Sequence, residues 1–72
     1  MKYRGFYIDE TETSDVQRFN EQGPVKCDGI WFRLFADPGY SIQLDDFMAA
    51  YEFDMERSDE GIERFLTTHI DR

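Results

Sequence analysis

Cysteine is nearly absent. Cys27 stands alone among 72 residues, so no disulfide can form within the chain. His69 is the only histidine, and one Cys with one His falls short of the four ligands a structural zinc site normally takes. No stretch approaches the roughly 20 apolar residues needed to cross a bilayer. The start "MKYRGFYIDE" is basic but has no apolar run long enough for a secretory signal. Basic residues are scarce as well, eight against sixteen acidic ones, for a formal net charge of −8. Affinity for phosphates comes from Lys and Arg, so direct binding to nucleic acid or to an anionic membrane is disfavoured. These absences lead us to expect one soluble, cytoplasmic domain over residues 1–72, with a lone thiol that suits a reducing compartment.

So short a chain buries only about 60% of its unfolded surface, and without disulfide or metal it must rely on dense packing or self-association. Aromatic residues make up 17% of it, which favours packing because each buried ring removes roughly 150–250 Å² from water. The charge is uneven. Residues 1–36 carry five basic and six acidic side chains, whereas residues 37–72 carry three and ten. A cationic partner is the electrostatically sensible one for such a chain; the plain alternative is that the acidity maintains solubility.

"KYRGFYID" (2–9) reads as a strand, with Phe6 and Ile8 on one face and Tyr3 and Tyr7 on the other. "DETETSD" (9–15) reads as a loop, "VQRFN" (16–20) as a brief strand and "EQGP" as a turn. "GIWFRLFA" (29–36) is the best strand. Ile30, Phe32 and Leu34 point one way and Trp31, Arg33 and Phe35 the other, which marks a central position in a sheet. "DPGY" (37–40) fits a type II turn with Gly39 at positive φ. Beyond it Leu44, Phe47, Met48, Tyr51 and Met55 recur at helical spacing, and a short strand over 40–44 is the alternative. Phe53 disagrees with that stripe, and "YEFDME" alternates as an extended segment would. Ser58 then caps a second helix carrying Ile62, Phe65, Leu66, His69 and Ile70, although Gly61 stands where a capping box wants Glu. The expected fold is α+β: a small antiparallel sheet of two to three strands with two C-terminal helices packed on one face.

No catalytic set is expected. Asp45 and Asp46 are adjacent, and neighbours on a helix point about 100° apart, so they suit a helix start better than acid–base work. His69 has no nucleophile or carboxylate at a recognisable spacing, and Cys27 has neither a resolving cysteine nor a base. No cofactor and no metal are expected either. Two surfaces stand out instead. Tyr3, Tyr7, Trp31, Arg33 and Phe35 have the composition of a binding hot spot, or of an interface that homodimerises. Asp45, Asp46, Glu52, Asp54, Glu56, Asp59, Glu60 and Glu63 surround a single cation, Arg57, and so forgo the pairing that a solvated helix usually gains.

The opening "MKYRGFYI" with the short acidic body that follows resembles small acidic proteins of bacterial phages and conjugative elements. That resemblance implies a class of role: inhibitors of host defence nucleases, anti-CRISPR proteins among them. The expected function is a non-enzymatic protein-binding module that mimics nucleic-acid charge and blocks a basic, nucleic-acid-binding protein or nuclease. The alternative is an assembly protein that dimerises through the aromatic sheet face.

Overall fold

The computed structural model describes residues 2, 3 and 5–70, with side chains described from Gly5 onward. A two-residue strand β1 (Lys2–Tyr3) is followed by β2 (Phe6–Asn20), β3 (Gly23–Phe35), β4 (Gln43–Ala50) and the helix α1 (Asp59–Ile70). The strands form one antiparallel sheet in the order β1-β2-β3-β4, so β3 is flanked on both edges by long strands.

The alternation of β3 dictates the layers. Ile30, Phe32 and Leu34 point to one face and are buried there with Ile8, Ala49, Tyr51, Met55 and Leu66. The amphipathic helix α1 covers this face with Ile62, Phe65, Leu66 and Ile70. Phe32 is fully buried beneath two rings, with centroids 5.4 Å from Phe47 and 5.9 Å from Phe65. His69 is half-buried, its ring stacked 4.0 Å from Phe47. Among the described residues no further strand or helix covers the opposite face.

One helix, not two, follows the sheet among the described residues. The segment from Leu44, expected to be helical, is β4. Both periods fit its apolar residues, and the two alanines decide between them. Ala49 and Ala50 lie off the helical stripe yet are completely buried, because their small side chains let β4 run close against β3. Met48, which the stripe would have buried, is exposed. An open edge on β3, apolar on both faces, gains more from a paired strand than from a helix.

"DETETSD" is also strand rather than loop. Its threonines favour an extended chain, and Asp9, Thr11 and Thr13 pair with Arg33, Trp31 and Gly29. The loop character survives only as a register shift between Thr13 and Val16, where the Asp15 amide donates to Thr13 Oγ1. At "DPGY" the Tyr40 amide donates to Asp37 O, but it is Tyr40, at φ 53°, and not Gly39 that takes the left-handed conformation. The Asp37 carboxylate accepts from the Ser41 hydroxyl and the Ser41 and Ile42 amides, which hold its pKa below the usual range. "YEFDME" is neither helix nor strand. The chain turns back on itself, with Tyr51 bridged to Met55, Glu52 at φ 69° and Phe53 exposed at the apex.

The Ser58 cap forms as expected, with the Gly61 amide donating to Ser58 Oγ at 3.0 Å. Gly61 replaces the capping-box glutamate for a steric reason: any Cβ there would run into the backbone of Glu56. Helix propensity alone favours Ala over Gly by about 1 kcal/mol. The Gly61→Ala variant should nevertheless be less stable, by about 1–3 kcal/mol. Urea unfolding followed by circular dichroism measures this, and a stabilised variant would show that the Glu56 contact is wrong.

Candidate functional site

The uncovered face is built from alternate residues of three strands. Tyr7 pairs with Phe35, Asp9 with Arg33 and Thr11 with Trp31 on one side of β3, while Met48 and Asp46 pair with Trp31 and Arg33 on the other. Four members of the expected aromatic set, Tyr7, Trp31, Arg33 and Phe35, thus share one face. The Tyr3 side chain lies outside the described residues. Phe35 is buried, because the Tyr40 ring packs edge-on at 5.1 Å and also meets Tyr7. Arg33 lies 4.9 Å over the Trp31 ring and forks onto Asp9, donating from Nε and Nη2 to Oδ2. Trp31 Nε1 donates to Asp46 Oδ2 at 3.0 Å. The row Asp9, Arg33, Trp31, Asp46 is therefore locked by polar contacts across all three strands.

A second pair sits at the other end. At Gly29 of β3 the neighbouring chains approach closely: a Cβ there would collide with the Ala49 carbonyl and lie 2.9 Å from Val16 Cγ2. Nearby, Arg18 of β2 reaches β4 and the turn that follows it. There it donates to Asp54 Oδ2 at 3.0 and 2.6 Å and to the Met48 carbonyl at 3.2 Å.

The eight acidic residues do not form the single helical face expected of them. Asp45 and Asp46 alternate to opposite sides of β4. Two of the eight, with Arg18, guard the outer edge of the sheet. Asp54 Oδ2 accepts the Ala50 amide at 2.7 Å, Asp45 Oδ1 accepts the Asp46 amide at 2.8 Å, and Arg18, held by Asp54, takes the Met48 carbonyl. Residues 46, 48 and 50 point their backbone groups away from β3, so these contacts occupy an edge that would otherwise recruit another strand. Glu52 lies 3.7 Å from Arg57, which also approaches Asp28 and covers the Tyr51 ring. Spacing along the chain gave no sign of this edge protection, because it depends on a strand where the periodicity suggested a helix.

The other four stay together. Glu56, Asp59, Glu60 and Glu63 surround the first turns of α1, are exposed, and have no Lys or Arg within ion-pair distance among the described residues. Glu10 and Glu12 of β2 lie on the helix-covered side of the sheet, paired with Phe32 and Ile30. Burial pushes the Glu10 carboxyl above its usual range, and the charges of Asp59 and Asp9 add to the effect. Glu12 accepts from the Tyr51 hydroxyl at 3.4 Å, and burial followed by the Glu12 charge raises the tyrosine pKa. Sequence reasoning missed Glu10 and Glu12, since it placed them in a loop. No cluster of His, Cys, Asp and Glu among the described residues could hold a metal ion.

No protein family, curated protein or solved structure gives a significant match to this chain.

Two outcomes follow from this geometry. Arg18→Ala removes charged hydrogen bonds that are each worth roughly 1.5–3 kcal/mol and frees the edge of β4. It should lower the unfolding midpoint and raise light scattering on heating, whereas Lys26→Ala, in an exposed pair, should do neither. For Glu10 the folded pKa lies above the unfolded one. Its contribution to stability is therefore present at low pH and lost as pH rises through the folded value. Glu10→Gln should raise Tm at about pH 7 and leave it unchanged near pH 3; an equal rise at both would contradict the assignment.

Proposed function

We propose that this chain is a small, non-enzymatic protein-binding module whose acidic shoulder docks onto a basic protein. Glu56, Asp59, Glu60 and Glu63, with Glu10 beside them, are the feature that carries this reading. Among the described residues no Lys or Arg lies within ion-pair distance of Glu56, Asp59, Glu60 or Glu63, and the Asp59 charge adds to the burial that raises the Glu10 pKa. Asp59 and Glu60 have a structural use in the first turn of α1, where carboxylates offset the positive end of the helix. Glu56 and Glu63 have no such use. A cationic groove supplies the missing counter-charge and accelerates encounter.

The partner class that fits is a nucleic-acid-binding protein or nuclease, whose groove is built for a row of phosphates. Occupying that groove makes the chain an inhibitor by charge mimicry, in the manner of the small acidic proteins of mobile elements that its opening residues resemble. With Asp45, Asp46, Glu52 and Asp54 engaged in the sheet edge and its turn, the mimicking surface is smaller than the sequence suggests. Its location in the cytoplasm belongs to the same proposal, supported by the lone thiol Cys27.

The test is retention of basic nucleic-acid-binding proteins from a cell extract on the immobilised chain. Retention should be strong at about 0.05 M salt and lost at about 0.5 M, where the Debye length falls to a few ångströms. The triple variant Glu56→Lys, Glu60→Lys, Glu63→Lys should lose at least ten-fold in binding with an unchanged circular dichroism spectrum. Asp45→Asn, on the sheet edge, should bind as the unaltered chain does. Retention that ignores salt would sink the proposal.

A further inference from the structure

The two long edges of the sheet differ in how their backbone is satisfied. On β4 the outward groups of Asp46, Met48 and Ala50 are held by side chains. Their partners on β3, Arg33, Trp31 and Gly29, therefore turn their own backbone groups the other way, towards Asp9, Thr11 and Thr13 of β2. Antiparallel alternation then directs the amides and carbonyls of Glu10 and Glu12 away from β3, onto the outer edge of β2. The short strand β1 reaches only Phe6 and Tyr7 of that edge. Among the described residues no strand lies beside residues 9–13, and nothing caps the outward backbone groups of Glu10 and Glu12. The run is bounded. β1 lies at one end and the register shift between Thr13 and Val16 at the other, past which Arg18 Nη1 takes the Gln17 carbonyl at 2.8 Å. Five residues of strand are left, about 17 Å, with Glu10, Thr11 and Glu12 exposed.

We propose that this edge of β2, over residues 9–13, accepts an extended basic segment of a partner protein as a further antiparallel strand. The proposal deepens the reading above and rests on its basic partner; what it adds is the mode of contact. An open edge is a template for any strand, and its side chains decide which strand is admitted. Glu10 and Glu12 stand on the helix-covered side of the sheet, where the charge of Asp59 also reaches Glu10. On the other side Asp9 is already paired with Arg33, so an incoming strand meets Thr11 and Thr13 there. The strand that fits carries Lys or Arg on one face and small β-branched polar residues on the other. A second copy of β2 does not fit, because Glu10 and Glu12 would stand against their own like charges. An acidic segment is turned away for the same reason. The carboxylates that keep this edge from pairing with itself are therefore the ones that select its partner. β4 offers no such choice, since its outward groups are occupied.

Hydrogen exchange read by NMR tests the geometry first in the chain alone. The Glu10 and Glu12 amides should be less protected than those of Asp9 and Thr11 by at least about ten-fold. The probe is then a heptapeptide of alternating lysine and threonine with blocked ends, titrated to about 1 mM. It should slow exchange at Glu10 and Glu12 several-fold and leave Asp9 and Thr11 unchanged. Antiparallel pairing sets the lysines opposite Glu10 and Glu12, with their backbone groups turned towards β2. Methylating the lysine backbone nitrogens should abolish binding, whereas methylating the threonine nitrogens should not. On the protein, Glu10→Pro removes an N–H that the sheet does not use, so its circular dichroism spectrum should be unchanged. It should bind the peptide at least ten-fold more weakly than Glu10→Gln, which loses the same charge and keeps the amide. No slowing at Glu10 and Glu12, or equal binding by the lysine-methylated peptide, would overturn the proposal even if Glu10→Pro failed to fold. The two readings fail separately. Retention of extract proteins that needs Glu56, Glu60 and Glu63 but survives the Glu10→Pro change sinks strand addition alone. Peptide-induced protection at Glu10 and Glu12 without such retention sinks the acidic shoulder alone.

Discussion

The strand β3 must be covered on both edges and on one whole face before anything else in this molecule can settle. Phe32 at its centre has no contact with water and lies between the rings of Phe47 and Phe65, which come from a later strand and from the helix. Burying a phenylalanine is worth about 2–3 kcal/mol in transfer free energy, and a 72-residue chain has few such contributions to draw on. The demand propagates outward. It pulls the polar segment 9–13 into β2, draws 43–50 into β4 against its helical periodicity, and leaves α1 to close the face. The sharp turn at 51–55 then follows, since the chain has to leave the sheet edge and return across it within a few residues.

That hierarchy explains how far the sequence could be read. The alternation in "GIWFRLFA" is carried by the strand itself, so its two faces and the alignment of Tyr7, Trp31, Arg33 and Phe35 were legible. Ser58 and the stripe from Ile62 to Ile70 are local features, and α1 came out within a residue of its reading. The misreadings share one cause. Leu44, Phe47 and Met48 satisfy two periods at once, and only the neighbouring strand chooses between them. The polar run of 9–15 had nothing local to make it extended; its partners lie far along the chain, Asp9 pairing with Arg33 and Thr11 with Trp31. Pairing over such distances overrides local preference.

The same correction divides the acidic residues by what they do. Of those on β4 and its following turn, Asp45 and Asp54 are backbone partners on the sheet edge, Asp54 also holds Arg18, and Asp46 and Glu52 meet Trp31 and Arg57. Those around the first turns of α1 have no comparable engagement and remain available as charge. Crowding of like charges was visible in the sequence. Which of them the fold has already used depends on the strand edge, and it separates the acidic shoulder from the ion-paired face on the opposite side of the sheet.

The outer end of the β2–β3 ribbon has a different consequence. Beyond Arg18 the two strands pair only with each other, and Phe19 sits there 72% exposed opposite Pro24. Nothing in the packed body fixes how far this tip extends. It can be trimmed or lengthened two residues at a time without shifting the pairing of Gly29 through Phe35, since antiparallel pairing repeats with that step. The tip is therefore the place where foreign sequence can be grafted, or where lineages can diverge in length, at little cost to the domain that carries it.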